Sequence, residues 1–278
     1  MTVIGRSALV SGIGLMGGSL AAALSRRGWR VLLHHRRPEV ARQAEKLGYG
    51  TAITGFDEAH DADVAIICTP VGAIADSAWA IASATRCVIT DVGSTKERIC
   101  DDLAPLADRF IGSHPMTGSH QQGLEHADPD LYAGCVTIVT PTAATPSELV
   151  DTIDGLWRAV GSRVVRLDPA THDRAVAEAS HVPHLLASAA AAQLGEDAAP
   201  LAAGGFRDTT RVAAGSPLLW SDILVHNAEA VGMGIDATVA RLQELRTALS
   251  RGDRAAVEAW LEAGRSGRCR YDDITRPR

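Results

Sequence analysis

Gly12-Ile13-Gly14-Leu15-Met16-Gly17 follows a short apolar run, Ala8–Val10, and precedes a helical run that ends near Arg26. A strand, a glycine turn and a helix in this order form the phosphate site of dinucleotide-binding proteins. The first glycine permits the tight turn, the second lets the backbone approach the pyrophosphate, and the third lets the helix pack on the strand. The helix N-terminus presents free N–H groups to the phosphates. The segment therefore predicts a nucleotide site, although a glycine-rich turn without a ligand is the alternative.

Composition narrows the class of protein. The chain has 278 residues, enough for two ordinary domains, and its net charge of −6 gives no reason to expect a nucleic-acid partner. The five cysteines are scattered without metal or redox spacing, which indicates reduced thiols and a cytoplasmic location. Ala8–Leu24 is uncharged and close to the minimum length of a membrane span. Its glycines are explained by the nucleotide turn, so we predict no membrane segment.

Short β-rich runs alternate with helical stretches as far as about residue 168. This alternation predicts an α/β fold, with a Rossmann-type dinucleotide-binding domain at residues 1–168 and an all-α domain at residues 169–278. In the second part, His172–Leu194, Leu218–Ser250 and Asp253–Ala263 read as helices, and Pro200–Gly205 as a loop. The candidate strands of the first part are Ala8–Val10, Arg30–Leu33, Val64–Cys68, Val88–Thr90, Phe110–Gly112, Val136–Val139 and Val164–Leu167.

The residues that follow the second and third candidate strands indicate the cofactor. An acid about 20 residues past the glycines hydrogen-bonds the ribose hydroxyls of NAD, but position 35 holds a histidine. Arg36 and Arg37 follow His35 and supply cations for a 2′-phosphate, which favours NADP over NAD. Arg37 alone also suits a solvated turn. Thr69 and Pro70 are predicted to border the cofactor, with a plain turn as the alternative.

Ligands of such sheets bind beyond the carboxyl ends of the strands, which directs attention to the next two loops. Ser94 suits either the N-cap of the following helix or a contact with substrate, and Lys96 fits a surface position. His114 lies in a loop fixed by glycine and proline, where an imidazole can serve as a general base. A structural histidine is the alternative. Thr117, in the same loop, is predicted to contact the substrate.

In the helical part, His181 and His184 flank Pro183, which should kink the helix and form the wall of a site. A helix boundary and buried histidines are the alternatives. A metal site that uses these histidines with His114 and His120 lacks a supporting carboxylate or cysteine, so we predict no metal.

The segment Gly204–Arg211 contains two arginines and one acid. If one arginine pairs with Asp208, the other is free to bind a carboxylate with its planar fork. Trp220, Leu224 and Asn227 follow at helical spacing, and Asn227 requires a ligand or a backbone group as its partner.

Together these segments resemble the prephenate/arogenate dehydrogenases of tyrosine biosynthesis. The resemblance runs from the N-terminus to about residue 250, with Trp220 and Asn227 in register. The glycine motif is generic, whereas the other motifs in this order are specific. The matching segments are Gly12–Leu20, Asp91–Lys96, Ser113–Gly118, Ser180–His184 and Gly204–Arg211.

The resemblance implies an oxidative decarboxylation, in which hydride passes to the nicotinamide, the ring carboxylate leaves as CO2 and the ring becomes aromatic. It implies that His114 takes the hydroxyl proton and that Ser94 orients the histidine or the hydroxyl. Arg211 would hold a substrate carboxylate, and His184 would line the pocket. It further implies a homodimer formed by the helical domain, with the active site between the domains.

Two departures from the family pattern bear on specificity. His120 stands where many members have an acid, and an imidazole there suits the pyruvyl carboxylate of prephenate better than the ammonium of arogenate. His35 replaces the usual acid of NAD-binding members. Arogenate, or an amino-substituted analogue of prephenate, remains the alternative substrate.

Two alternatives are a different dehydrogenase on the same scaffold and a nucleotide-sensing protein without chemistry. A β-hydroxyacid dehydrogenase would need a lysine in the second domain, and no lysine follows Lys96. A nucleotide sensor without chemistry would not need His114 and Arg211 together.

Overall fold

The computed structural model describes residues 6–117 and 121–275. Its sheet has eight strands in the order β3-β2-β1-β4-β5-β6-β7-β8. All neighbouring strands run parallel except β6 and β7, which are antiparallel. The predicted α/β class with a Rossmann-type sheet is confirmed. The strands are β1 (Ser7–Ser11), β2 (Arg30–His34), β3 (Thr51–Ala52), β4 (Val64–Ile67), β5 (Val88–Asp91), β6 (Phe110–Pro115), β7 (Val136–Thr140) and β8 (Arg163–Arg166).

Helices cover both faces of the sheet, which explains why its central strands are buried on both sides. β1 and β4 are buried from end to end. One core cluster contains Leu24 and Trp157, and the cluster on the other face contains Ile74 and Ile99. The helices are α1 (Leu15–Arg26), α2 (Pro38–Lys46), α3 (Ile74–Ala84), α4 (Glu97–Asp102), α5 (Ser147–Ala159), α6 (Pro169–Val176), α7 (Val182–Ala192), α8 (Gly204–Thr210), α9 (Pro217–His226), α10 (Ala228–Ser250) and α11 (Arg254–Thr275).

The helical part differs from the sequence prediction at its breaks. The single helix predicted over His172–Leu194 is two helices, α6 and α7, joined by a π-helical turn at Ala177–His181. Pro183 lies near the start of α7, where its missing N–H costs little. The helix predicted over Leu218–Ser250 is interrupted at Asn227, whose backbone leaves the helical region.

Two further segments were assigned wrongly. The predicted loop Pro200–Gly205 ends in a helix, because Gly204 and Gly205 form the first turn of α8. The last helix extends to Thr275, well beyond Ala263.

By their internal contacts, Met1–Ala228 forms one compact unit and Glu229–Arg278 forms another. The first unit holds the sheet and α1 to α9. In the second unit, the Trp260 indole N–H donates to the Arg241 carbonyl at 2.9 Å and joins α11 to α10. The sequence-based division after residue 168 follows instead from the end of the last strand, β8, at Arg166. Within the described residues, no helix combines the length and the apolar character that crossing a bilayer requires.

Candidate functional site

The glycine turn between β1 and α1 has the shape that a dinucleotide site needs. Gly12 has a φ of +96°, and a Cβ there would lie 2.7 Å from the carbonyl carbon of Cys68. A Cβ on Gly17 would overlap the Gly12 carbonyl oxygen. Around Gly14, by contrast, no atom of the described residues beyond its chain neighbours and its own helix lies within 4 Å of the position of a Cβ. The turn is therefore closed toward the protein and open at its second glycine, where a pyrophosphate approaches the backbone.

Burial and a hydrogen bond fix the other residues of the turn. Ile13 is buried, and Leu15 and Met16 are half-buried at the start of α1. The Met16 carbonyl accepts a hydrogen bond of 2.8 Å from the hydroxyl of Tyr132, a side chain that is fully buried. This contact ties the first turn of α1 to the segment that precedes β7.

The end of β2 presents a neutral donor followed by two exposed cations. The backbone N–H of Arg37 donates to Nδ1 of His35 at 3.0 Å, so the ring proton of His35 is on Nε2. Burial, together with the charges of Arg37 and Arg36, lowers the pKa of His35 below its ordinary value and keeps the ring neutral. In the part of the chain that the structure describes, neither guanidinium forms an ion pair.

Thr69 and Pro70 follow β4 at the same edge of the sheet as the glycine turn. Pro70 is exposed and precedes a 3-10 turn at Val71–Ala73. The Thr69 hydroxyl oxygen is buried and has no hydrogen-bond partner among the described residues. A buried hydroxyl without a partner is costly, and a bound ligand would satisfy it.

Lys96 does not lie on the surface, which corrects the sequence interpretation. Its side chain and that of Asp91 are both 0% exposed, and its ammonium donates to Oδ2 of Asp91. The backbone N–H groups of Gly93 and Ser113 donate to the same carboxylate at 2.8 and 3.1 Å. A Cβ on Gly112 would lie 2.9 Å from the lysine Cδ, and a Cβ on Gly93 would lie 3.2 Å from its Nζ, so both glycines make room for the buried side chain.

Ser94 does not cap the following helix. The N-cap of α4 is Lys96, and the N–H groups of Lys96 and Glu97 donate to the carboxylate of Asp173 at 2.7 and 2.9 Å. Asp173 belongs to α6, so the cap is supplied from 77 residues away in the chain. The Ser94 hydroxyl is half-buried and makes no hydrogen bond within residues 6–117 and 121–275, which leaves it available to a ligand.

His114 lies within β6 near its carboxyl end, not in the predicted loop, because the strand continues to Pro115 by pairing with β7. The side chain is in contact with a second histidine. Its Nδ1 is 2.9 Å from Nε2 of His172, and Nδ1 of His172 is 2.7 Å from Oδ1 of Asp173. Burial lowers the pKa of His114 well below the ordinary value, and the charges of His172, Lys96 and His181 act in the same direction. The imidazole is therefore neutral at physiological pH, as a proton acceptor must be.

The π-helical turn and Asn227 connect this cluster to α9. Asn227 donates from Nδ2 to the backbone carbonyl of Asp173 at 2.9 Å, and Nδ2 also lies 3.1 Å from Nδ1 of His181. The predicted partner of Asn227 is thus a backbone group together with a histidine. Burial lowers the pKa of His181 to about 4, against the opposing charge of Asp173.

His184 forms a second wall with Trp220. The two rings are stacked with centroids 3.5 Å apart, and a Cβ on Gly215 would lie 3.2 Å from His184 Cε1. Burial lowers the pKa of His184, and its Nδ1 is buried without a partner among the described residues. This nitrogen is a second polar atom that a ligand would satisfy.

The two arginines of the Gly204–Arg211 segment have different surroundings. Arg207 pairs with Asp208 at 3.7 Å on the surface. Arg211 is exposed, forms no ion pair in the described part of the chain, and begins a 3-10 turn, Arg211–Ala214, that packs against α7, the helix of His184.

The remaining predicted substrate residues follow β6. Thr117 is half-buried and donates from its hydroxyl to the Leu131 carbonyl at 3.2 Å. His120 lies outside the described residues. Over residues 6–117 and 121–275 there is no group of three or more histidine, cysteine or acidic side chains that could hold a metal.

Sequence reasoning missed His172, Asp173, Asp91 and the burial of Lys96. No motif marks His172-Asp173, because its partners are distant in sequence. One signal was available for the lysine, since Lys46 and Lys96 are the chain's two lysines and Lys96 directly follows a buried strand and its glycine turn.

Comparisons with known proteins fit this arrangement. A family model described as "Prephenate dehydrogenase, nucleotide-binding domain" matches residues 20–166, and one described as "Prephenate dehydrogenase, dimerization domain" matches residues 168–263. The prephenate dehydrogenase of Bacillus subtilis (strain 168) is 34% identical over 88% of this chain and 70% of its own length. The cyclohexadienyl dehydrogenase of Zymomonas mobilis is 32% identical, with 91% of each chain covered.

Among solved structures, the chain is similar to a prephenate dehydrogenase from A. aeolicus, which was crystallised with hydroxyphenyl propionate and NAD+. The TM-score is 0.89 at 29% identity, and the match covers 98% of this chain and 100% of the other.

Proposed function

This chain belongs to the prephenate dehydrogenase family, and we propose that it oxidises and decarboxylates prephenate to 4-hydroxyphenylpyruvate, with NADP preferred over NAD. The family makes it an NAD(P)-dependent oxidoreductase of tyrosine biosynthesis. The observation that carries the proposal is His114, a neutral buried imidazole at the carboxyl edge of a dinucleotide-binding sheet.

The residues of the glycine turn fit a dinucleotide. Gly14 is open where a pyrophosphate would approach, and the buried hydroxyl of Thr69 lacks a partner within the described chain. Gly12 to Gly17 and the N-terminus of α1 would hold the phosphates, with Thr69 and Pro70 at the border. When bound, the nicotinamide ring supplies the acceptor for the substrate's hydride.

His114 accepts the proton of the ring hydroxyl as the carbonyl forms. Loss of CO2 then drives the ring to aromaticity, and the same histidine can return the proton to the phenolic oxygen. Burial disfavours the charged form of the ring, so His114 is unprotonated when the substrate binds and can accept the hydroxyl proton. The half-buried hydroxyl of Ser94 orients the substrate hydroxyl or the histidine.

We assign substrate binding to Arg211, His184, Thr117 and His120. Arg211 carries a guanidinium without an ion-pair partner in the described chain, which suits a carboxylate. Nδ1 of His184 has no hydrogen-bond partner among the described residues and likewise requires one from a ligand. The preference for prephenate over arogenate depends on His120, since an imidazole accommodates a carboxylate better than an ammonium group.

The direct test is to mix the protein with prephenate or arogenate and with NADP or NAD, and to follow the absorbance of the reduced nicotinamide. We expect the fastest turnover with prephenate and NADP. His114→Asn should lower kcat by about 10²–10⁴-fold with cofactor binding retained. Turnover with neither substrate, or full activity in the variant, would contradict the proposal.

A pair of neighbouring arginines tests the carboxylate site. Arg211→Ala should raise KM for the substrate by about 10–100-fold, because a charge-assisted hydrogen bond is lost. Arg207→Ala is the matched control, since Arg207 is also exposed in the same segment but is already paired with Asp208. Equal effects of the two substitutions would refute the assignment.

The NADP preference follows from the end of β2. An acid at position 35 would accept hydrogen bonds from ribose hydroxyls, whereas His35 presents an Nε2–H donor and Arg36 and Arg37 add two cations. Arg36→Ala should raise KM for NADP by about 10-fold or more and leave KM for NAD nearly unchanged. Arg86→Ala, an exposed arginine that precedes β5 at the opposite edge, is the control.

We infer a homodimer formed through the helical region. α10 exposes Ile235, Val239, Leu242 and Leu249, which recur at helical spacing along one side of the helix. A second copy of the chain is the natural cover, because the matching family model describes a dimerization domain. Light scattering should report a dimer, and Val239→Asp should shift it toward monomer.

We also place the enzyme in the cytoplasm, since all five cysteines are free thiols.

A further inference from the structure

The contacts behind His114 determine which of its nitrogens carries the proton. The carboxylate of Asp173 acts as an acceptor toward the N–H groups of Lys96 and Glu97. Its Oδ1 is 2.7 Å from Nδ1 of His172, so that nitrogen must donate and carries the proton. In a neutral ring the other nitrogen, Nε2, is then unprotonated and carries a lone pair.

The same reasoning extends one residue further. Nε2 of His172 lies 2.9 Å from Nδ1 of His114, and two lone pairs cannot face each other at hydrogen-bond distance. Nδ1 of His114 therefore donates, and its Nε2 is left unprotonated. We propose that His172 is a positioning residue, which fixes the tautomer of His114 so that Nε2 is the base presented to the substrate. This inference rests on the proposed function for its catalytic meaning.

The surroundings support neutral rings before the reaction. Burial lowers the pKa of His172, against the hydrogen bond from its ring to Asp173. The charged or titratable groups that act on His114 are His172, His181 and Lys96, and the charge of Lys96 is paired with Asp91. A cation on either ring is thus disfavoured in the resting enzyme.

The chain of hydrogen bonds from His114 through His172 to Asp173 also has a role once the proton moves. When the substrate O–H bond breaks and an N–H bond forms on Nε2 of His114, the ring becomes a cation. Its Nδ1–H bond to His172 is then charge-assisted, and the polarised His172 strengthens its own bond to Asp173. The buried positive charge is stabilised without any rearrangement, because the carboxylate is already held by two backbone N–H groups.

A spectroscopic experiment tests the tautomer without any substrate. The full-length protein is labelled with 15N-histidine, and the His114 signals are assigned by their loss in His114→Asn. We expect the chemical shift of a protonated nitrogen for Nδ1 and of a bare nitrogen for Nε2. The reverse assignment would overturn the proposal. Because no turnover is needed, this result is independent of whether prephenate is the substrate.

Kinetics of two variants test the consequence. His172→Phe removes the acceptor and should lower kcat by about 10–100-fold with KM unchanged, whereas His172→Gln keeps an acceptor and should recover most of kcat. His60→Gln, an exposed histidine bonded to the Asp57 carbonyl, is the control and should match wild type. Wild-type kcat in His172→Phe, or no recovery in His172→Gln, would refute the role. If His172→Phe fails to fold, the 15N chemical shifts of the wild type and the kcat of His172→Gln still test the proposal.

Discussion

Lys96→Met is the substitution that best probes the energetics of the site. It removes one member of a fully buried ion pair and keeps a side chain of similar length. Asp91 then remains as a buried carboxylate whose donors among residues 6–117 and 121–275 are the N–H groups of Gly93 and Ser113. The backbone N–H of Lys96, which donates to Asp173, is unaffected.

The expected size of the effect follows from this burial. Breaking a buried pair by removal of one partner costs about 3–5 kcal/mol, because an uncompensated charge is left in a medium of low dielectric constant. For a chain of this size such a loss lowers Tm by about 6–20 °C. Replacing both partners is less costly, so Lys96→Met combined with Asp91→Asn should be more stable than Lys96→Met alone. The coupling energy in the double-mutant cycle should reach about 2 kcal/mol.

Thermal and urea unfolding of the wild type, the two single variants and the double variant measure these quantities. Lys46→Met is the matched control, because Lys46 is the other lysine of the chain and is exposed at the end of α2. Its substitution should change the free energy of unfolding by less than about 0.5 kcal/mol. A loss below about 1 kcal/mol for Lys96→Met, the range of surface ion pairs, would refute the reasoning.

Three further predictions concern the cofactor turn, acid stability and a buried hydroxyl. Gly14→Ala should leave Tm unchanged but lower the affinity for the cofactor. Gly17→Ala should lower both Tm and this affinity, since its Cβ would overlap the backbone. Calorimetric unfolding measures the first quantity, and titration with the cofactor measures the second. The free energy of unfolding should fall as the pH drops below 6.5, because histidines of the unfolded chain bind protons that the buried histidines do not. His181, with a pKa of about 4, alone accounts for a loss of about 3 kcal/mol by pH 4. A free energy from urea unfolding that stays constant from pH 7 to pH 4 would contradict this. Tyr132→Phe removes the bond to the Met16 carbonyl and should cost about 1 kcal/mol in urea unfolding, and no loss would count against that bond.

The order of strands and helices in the sheet was predictable because its causes are local. A glycine turn needs only neighbouring residues, and apolar runs such as Val64–Cys68 mark strands that are covered on both faces. Two features of the helices and strands were not predicted, and their reasons differ. β3 has two residues, too few for a pattern. The break after α9 coincides with a tertiary contact, since the Asn227 side chain donates to the Asp173 carbonyl 54 residues away.

The sequence by itself determined the Rossmann-type sheet, the helical second part and the membership of the family. These depend on periodicity, glycine positions and short motifs, each read within a few residues. Only the tertiary structure decided the surroundings of His114. Its partner His172 is 58 residues away, and the acid that caps α4 is 77 residues from Lys96. Whether Lys96 is a solvated surface charge or half of a buried ion pair depends on which elements pack over it, and no local pattern encodes that.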